Sequence, residues 1–312
     1  MSQIEVAIMI EGQNGLTWPR WQRIAHAVES LGYVGLYRSD HFTNANPPDK
    51  DSLELWVSLT WLASHTQRLE FGPLVSPVSF RHPTFTARMA AAVDDLSGGR
   101  LTLGMGAGWQ VREHTHFGWD LLEMAPRFAR FIEGLEVVTR LLHSDDPVDY
   151  AGTYYHLQEA ILLPRPLRPG GPPILIGGNG PKRTLPLVAQ YATEWNAVFT
   201  TPAVIRQRNQ ALDALLQERG RAPADVRRSL MTGCWFGKDD AAVNARLQEQ
   251  GRSFAQMREI GIIVGTGNQI VDQLGELAEV GVQRVMLQWL DLDDVDGLKA
   301  MAHAVLPQVG GR

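Results

Sequence analysis

The chain alternates between short apolar runs rich in β-branched residues and longer stretches whose apolar positions recur at helical spacing. The first run, residues 4–10 (IEVAIMI), predicts a strand. Pro19 suits the opening turn of the helix that follows, and Gly32 suits its end. Further strands are predicted over 34–38, 69–75, 101–107, 174–177, 196–199, 230–236 and 285–289. Helices are predicted over 52–64, with Ser52 as cap and Glu54 in the first turn, and over 82–96, stopped by Gly98 and Gly99. Others are predicted over 124–143, 182–192, 202–219, 268–281 and 295–305. Alternating strands and helices imply a parallel sheet, and eight such units closing on themselves give an α/β fold of the (β/α)8 TIM-barrel kind. An open doubly wound sheet expects a G-x-G-x-x-G turn after the first strand; Glu11-Gly12-Gln13-Asn14-Gly15 lacks that spacing.

Two segments break the rhythm. Residues 144–173 hold six prolines and two adjacent tyrosines, which predicts an insertion after the fourth helix, with a hairpin around Gly152. Residues 219–267 predict an excursion after the seventh strand, with an extra helix over 239–261. With these two insertions, one barrel domain is expected over residues 1–312.

Composition adds exclusions. Of 312 residues, 44% are hydrophobic and 20% charged, as in ordinary globular proteins. A net charge of −5 argues against a nucleic-acid partner. No apolar run approaches the length of a membrane span, and the N-terminus lacks the charged and apolar regions of a signal peptide. One cysteine, Cys234, permits no internal disulfide. The expectation is a cytoplasmic protein, free of the membrane, acting on a small molecule.

In a barrel, chemistry gathers where the strands end and the following loops begin. Gly177-Gly178-Asn179-Gly180 stands there, with Lys182 and Arg183 at the start of the next helix. Glycines allow a ligand to approach the backbone, and a helix start offers free N–H groups, so a phosphate fits this loop. Gly104, Gly106, Ala107 and Gly108 leave a flat floor for a planar ring. His41, flanked by Asp40, is placed to donate or accept a proton. Glu11, Trp109 and Trp289 also stand at strand ends, as candidate substrate contacts. Glu113, His114 and His116 match no metal-ligand spacing and read as a polar loop, so no metal is expected. Cys234 reads as a buried, inert thiol.

The stretch Ser39-Asp40-His41-Phe42, residues 76–109 (SPVSFRHPTFTARMAAAVDDLSGGRLTLGMGAGW) and residues 174–197 (ILIGGNGPKRTLPLVAQYATEWNA) resemble the luciferase-like flavin oxidoreductase superfamily. More narrowly they resemble its bacterial branch of coenzyme F420 (deazaflavin)-dependent oxidoreductases. The likeness runs from Gly32 to Trp289. It implies the same barrel and a flavin-like cofactor with its ring over the mouth. Asp40 and His41 would lie near that ring. Leu74, Val75 and Ser76 would support its face through a bulge, with a nonprolyl cis peptide at Leu74–Val75 or one residue earlier. Gly106, Ala107 and Gly108 would flank the cofactor's side chain, and Gly177, Gly178, Asn179 and Gly180 would hold its phosphate. The sugar-phosphate dehydrogenases of this group carry an acidic residue about where this chain has Trp109. The implied substrate is therefore more apolar, in a mouth lined by Trp18, Trp109, Trp195 and Trp289. Arg165 and Arg168 are candidates for the deazaflavin's acidic tail. The expected activity is hydride transfer between the deazaflavin and an organic substrate, in a homodimer. The alternative is an FMN-dependent monooxygenase using O2. A cofactor-free barrel isomerase or aldolase would want a lysine among the strand-end residues, and only Lys182 is there. A barrel that only binds its ligand is the remaining alternative.

Overall fold

Along the first strand, β1 (Glu5–Ile10), Ala7 and Met9 join one apolar cluster with Tyr37, Leu175, Met231 and Met286. Their neighbours Ile8 and Ile10 join another, which contains helix residues such as Trp21 and Leu59. Both faces of the strand are therefore apolar, one toward the interior and one toward a helical layer, which is why the sequence shows a continuous run. The computed structural model describes residues 4–309.

The chain continues through α1 (Trp18–Leu31), β2 (Gly35–Arg38), α2 (Leu55–His65), β3 (Glu70–Pro73), β4 (Ser76–Pro77), α3 (Pro83–Ser97), β5 (Leu103–Gly106) and α4 (Val111–Phe117). Then come α5 (Met124–His143), β6 (Val148–Ala151), β7 (His156–Ala160), β8 (Ile174–Gly177), α6 (Thr184–Tyr191), β9 (Glu194–Val198) and α7 (Pro202–Glu218). The remainder is β10 (Arg227–Phe236), α8 (Asp240–Glu249), α9 (Phe254–Glu259), β11 (Ile263–Gly265), α10 (Gly267–Glu279), β12 (Arg284–Gln288) and α11 (Val295–Val309). Parallel pairing runs β3-β2-β1-β12-β10-β9-β8-β5-β4. Phe71 of β3 also bridges to Leu101, just before β5, which closes the ring. Since β3 and β4 form one interrupted stave, the described residues make an eight-position barrel, as the alternation predicted.

The interruption falls at Leu74–Val75, whose peptide bond is cis, one of the two positions the resemblance implied. Val75 bulges against β5. A Cβ on Gly104 would stand 2.0 Å from the Pro73 carbonyl oxygen, and one on Gly106 would stand 2.6 Å from Val75 Cγ2. These two glycines are thus required by the bulge itself, whatever lies above it.

Several boundaries differ from expectation. Helix α2 begins at Leu55; Glu54, not Ser52, caps it by accepting from the Val57 N–H at 2.7 Å. The Ser52 hydroxyl instead donates to the His41 carbonyl at 2.6 Å. The helix expected over 239–261 is two helices, α8 and α9, broken near Gly251, which has φ 61°. It is followed by the unpredicted β11, which pairs with β10. Residues 144–173 contain the antiparallel hairpin β6–β7 around Gly152. Cys234 is buried against Met301, and burial pushes its thiol pKa to about 12. No helix among the described residues is long and apolar enough to cross a membrane.

The base of the barrel is tied by charge. Arg284 is fully buried and donates to Tyr37 Oη at 2.7 Å, Glu5 Oε2 at 2.6 Å and Glu70 Oε2 at 2.6 Å. It thereby links β12, β2, β1 and β3. Removing one partner of such a buried group leaves the others uncompensated. Arg284→Ala should cost about 3–5 kcal/mol, seen as a melting temperature lower by roughly 10 °C; an unchanged melt would contradict the brace.

Candidate active site

The top of the barrel is organised around a carboxylate on the short helix α4. Glu113 has no exposed surface. Its Oε1 stands 2.8 Å from His41 Nδ1, and its Oε2 accepts the Phe42 N–H at 3.0 Å. A carboxylate can only accept, so Nδ1 carries the proton. The other ring nitrogen, Nε2, has no hydrogen-bond partner among the described residues. Burial lowers the His41 pKa, but the hydrogen bond and charge of Glu113, helped by Glu11 and Asp40, outweigh it and leave the value raised. Gln110 supports the same loop by donating to the Thr43 carbonyl at 3.0 Å.

What holds α4 in place is an aromatic nest. Phe42 lies 5.4 Å from Phe80, 5.1 Å from Phe117 and 4.9 Å from Trp119 between ring centres. His114 is buried between the Gln110 carbonyl, 2.6 Å from Nδ1, and Ser79 Oγ, 2.8 Å from Nε2; burial lowers its pKa. Glu113 and His114 therefore face different partners. Among the described residues no group of three histidine, cysteine or acidic side chains is placed to hold a metal. Glu113, His114 and His116, expected as a polar loop, lie on helix α4, where Glu113 and His114 are buried and His116 is exposed.

Beside His41, Asp40 is 3% exposed. It accepts from Ser76 Oγ at 2.8 Å and from both terminal nitrogens of Arg81, the second at 3.1 Å. Burial raises its pKa; Arg81 and Ser76 pull it back without cancelling the rise. Arg81 also reaches Glu54 Oε1 at 2.8 Å, joining the loop after β4 to the cap of α2. Arg38, on β2, is lowered by burial to about 10 and spends its guanidinium on Leu53 O at 2.6 Å and Ser58 Oγ at 2.7 Å. Glu11, after β1, receives Gln288 Nε2 at 2.7 Å and Gln13 Nε2 at 2.9 Å.

The glycine loop after β8 lies on the same rim, since it starts beside Val75: a Cβ on Gly177 would stand 3.3 Å from Val75 Cγ1. Gly178 has φ 125°, a conformation that suits glycine. The Asn179 amide is committed to the Val198 backbone, at 2.6 Å to its carbonyl and 2.9 Å from its N–H. The Asn179 carbonyl accepts Arg208 Nε at 3.1 Å. Asn179 is thus the tie that shapes the loop, and the surface it leaves is backbone flanked by the exposed cations Lys182 and Arg183. Helix α6 starts only at Thr184, so these cations precede the first turn, and Arg183 stacks over Phe128 at 5.7 Å. A glycine loop without side-chain bulk beside exposed cations fits a phosphate.

The aromatic lining differs from expectation. Trp109 is 60% exposed and meets His41 edge-on, with ring centres 5.5 Å apart. Trp289 and Trp195 are 2% and 1% exposed within the layer between barrel and helices, and Trp18 packs on Trp61. Trp289 therefore offers no surface for a substrate. Its strand-end position was legible, but which way the side chain turns was not. Arg165 and Arg168 are also misplaced as tail ligands. Arg165 binds the carbonyls of Leu141 and Leu142, and Arg168 binds Asp94 near the base. The sequence reading missed Glu113, Gln110, Arg81, Gln13, Gln288 and Arg208. The pairs they form span long sequence separations, and only Arg81 and Gln288 stood at strand ends in the sequence.

A cavity of about 580 Å³ opens at the opposite end of the barrel, lined by Arg68, Glu70, Arg100, Glu194 and Arg227 among others. Arg100 there is spent on the carbonyls of Ala63, Thr66, Leu69 and Ser97. That end bears bracing contacts, in keeping with the division of labour in such barrels.

Residues 3–260 match the family described as luciferase-like monooxygenase. A 4-hydroxyprotoasukamycin monooxygenase of Streptomyces nodosus subsp. asukaensis is 33% identical over 95% of this chain and 88% of its own length. A putative coenzyme F420-dependent oxidoreductase of Mycobacterium tuberculosis is also 33% identical, over 51% of this chain and 48% of its own length. Among solved structures, an F420-dependent secondary alcohol dehydrogenase with an F420-acetone adduct superposes with a TM-score of 0.85 at 18% identity, covering 98% of this chain and 99% of that one. A long-chain alkane monooxygenase superposes at 0.82 and 15% identity, covering 99% and 91%. These structures share the barrel. The chain belongs to the luciferase-like monooxygenase family.

Proposed function

We propose that the protein is a coenzyme F420-dependent oxidoreductase that moves a hydride between the deazaflavin and an organic, largely apolar substrate. The observation that carries this reading is the buried Glu113 carboxylate behind His41, which leaves Nε2 as the free nitrogen at a mouth that also holds a phosphate-compatible loop. The relatives of the F420-dependent kind support the cofactor. When bound, the deazaflavin supplies the hydride chemistry. Gly177, Gly178 and Gly180 would receive its phosphate, Val75 would lie under its ring, and Ala107 and Gly108 would flank its side chain. The protein's own work is to exclude water, orient the substrate and hold a proton at His41 Nε2, exchanged with the substrate oxygen as hydride moves at the adjoining carbon. The second reading, an FMN-dependent monooxygenase using O2 and reduced flavin, is favoured by the monooxygenase relative that aligns over 95% of the chain.

Titrating the purified protein with coenzyme F420 and with FMN, followed by absorbance, separates the two. Saturable binding of the deazaflavin with weaker FMN binding is expected; preference for FMN overturns the first reading. His41→Ala should lower turnover by about 10²–10⁴-fold while the deazaflavin titration barely moves. Full turnover in that variant would remove the proton role.

The pair also has a pH signature. Because Glu113 raises the folded-state value of His41, the stability it adds is complete below the ordinary histidine value of about 6.5 and is lost as pH rises through the raised value. In Glu113→Gln the raising partner is gone and burial dominates. The His41 titration, followed by NMR, should then move to lower pH; an unmoved midpoint would separate the two residues functionally.

A further inference from the structure

Segment 109–117 buries three polar side chains while leaving three large apolar ones in water, alongside the exposed Thr115 and His116. Gln110, Glu113 and His114 are 3%, 0% and 2% exposed, whereas Trp109, Val111 and Phe117 are 60%, 65% and 46% exposed. The buried polar side is accounted for by His41, the Phe42 N–H, Thr43 and Ser79. Phe117 belongs to the aromatic nest. Trp109 is different: it is large, mostly in water, and its one ring contact is the edge of the His41 imidazole.

We infer that Trp109 is the specificity-determining wall of the substrate site, packing the apolar body of a substrate whose hydroxyl or carbonyl oxygen lies at His41 Nε2. This deepens the oxidoreductase reading above and rests on it for the identity of the reacting group. The occupant is a small molecule because the ring stands against the imidazole at the barrel mouth; a macromolecule seated on it would cover the opening. A tryptophan face gains from covering by alkyl or aryl groups and gives nothing to a phosphorylated sugar. The polar groups of the mouth are already held, Glu11 by Gln13 and Gln288 and Asp40 by Ser76 and Arg81, so the selected class is an apolar alcohol or ketone with its one oxygen at the reacting carbon.

The test uses straight-chain secondary alcohols from three to eight carbons with the F420-loaded enzyme. In the wild type, kcat/KM should rise about fourfold per added methylene. In Trp109→Ala the rise should flatten to about twofold or less, with the deazaflavin titration unmoved. Equal slopes in both proteins, or loss of deazaflavin affinity in the variant, overturn the inference. Equilibrium dialysis of the eight-carbon alcohol needs no turnover, and Trp109→Ala should weaken that binding about tenfold. Trp109-dependent binding without any oxidation would sink the oxidoreductase reading and leave the wall standing. Oxidation with equal binding by both proteins would do the reverse.

Discussion

A carboxylate removed from water must be matched by donors or by positive charge, because leaving it alone costs more than most folds can offset. Glu113 satisfies that demand with an imidazole on one oxygen and a backbone N–H on the other. Both partners come from the loop after β2, while Glu113 comes from the helix after β5. One buried charge thus fixes how two loops from separate staves meet at the mouth. The aromatic nest of Phe42, Phe80, Phe117 and Trp119 seals the same junction against solvent, which keeps the pairing strong. The orientation of His41 follows from this junction, and so does the position of Trp109, two residues before α4 begins.

The two ends of the barrel use charge differently. At the base, Arg284 is shared among groups on β1, β2 and β3, and the surrounding arginines bind carbonyls that helices and loops leave open. Most of those contacts are satisfied within the chain, Glu194 Oε1 being an exception. At the mouth, His41 Nε2 and the exposed Lys182 have no hydrogen-bond partner among the described residues. An internally satisfied end gives rigidity, and an unsatisfied end gives a site.

Much of this was legible in the sequence. The strand and helix alternation located the staves because parallel strands buried on both faces read as continuous apolar runs. The strand-end rule brought forward Asp40, His41, Ser76 and the glycine loop, all of which stand at the mouth. Local signals misled where a long-range contact overrode them: Ser52 looked like a cap, yet its hydroxyl serves the His41 carbonyl and Glu54 takes the cap. Gly104 and Gly106 looked like room for a ligand, yet the Val75 bulge already fills that space. Glu113 looked like a loop residue because a seven-residue helix that buries two adjacent polar residues has no periodic signature that sequence reasoning expects.

The first and last strands are neighbours: Glu5 to Met9 of β1 pair with Arg284 to Gln288 of β12. A nascent chain leaving the ribosome therefore has no complete ring until β12 has emerged. Until then β1 and β10 both present unpaired edges, the kind of surface that invites association between chains. Contacts of such long sequence separation also close slowly. The late arrival of β12, carrying Arg284, would join the edges and cap the base charges in a single step, so loss of β12 should be felt as aggregation during synthesis more than as a local defect.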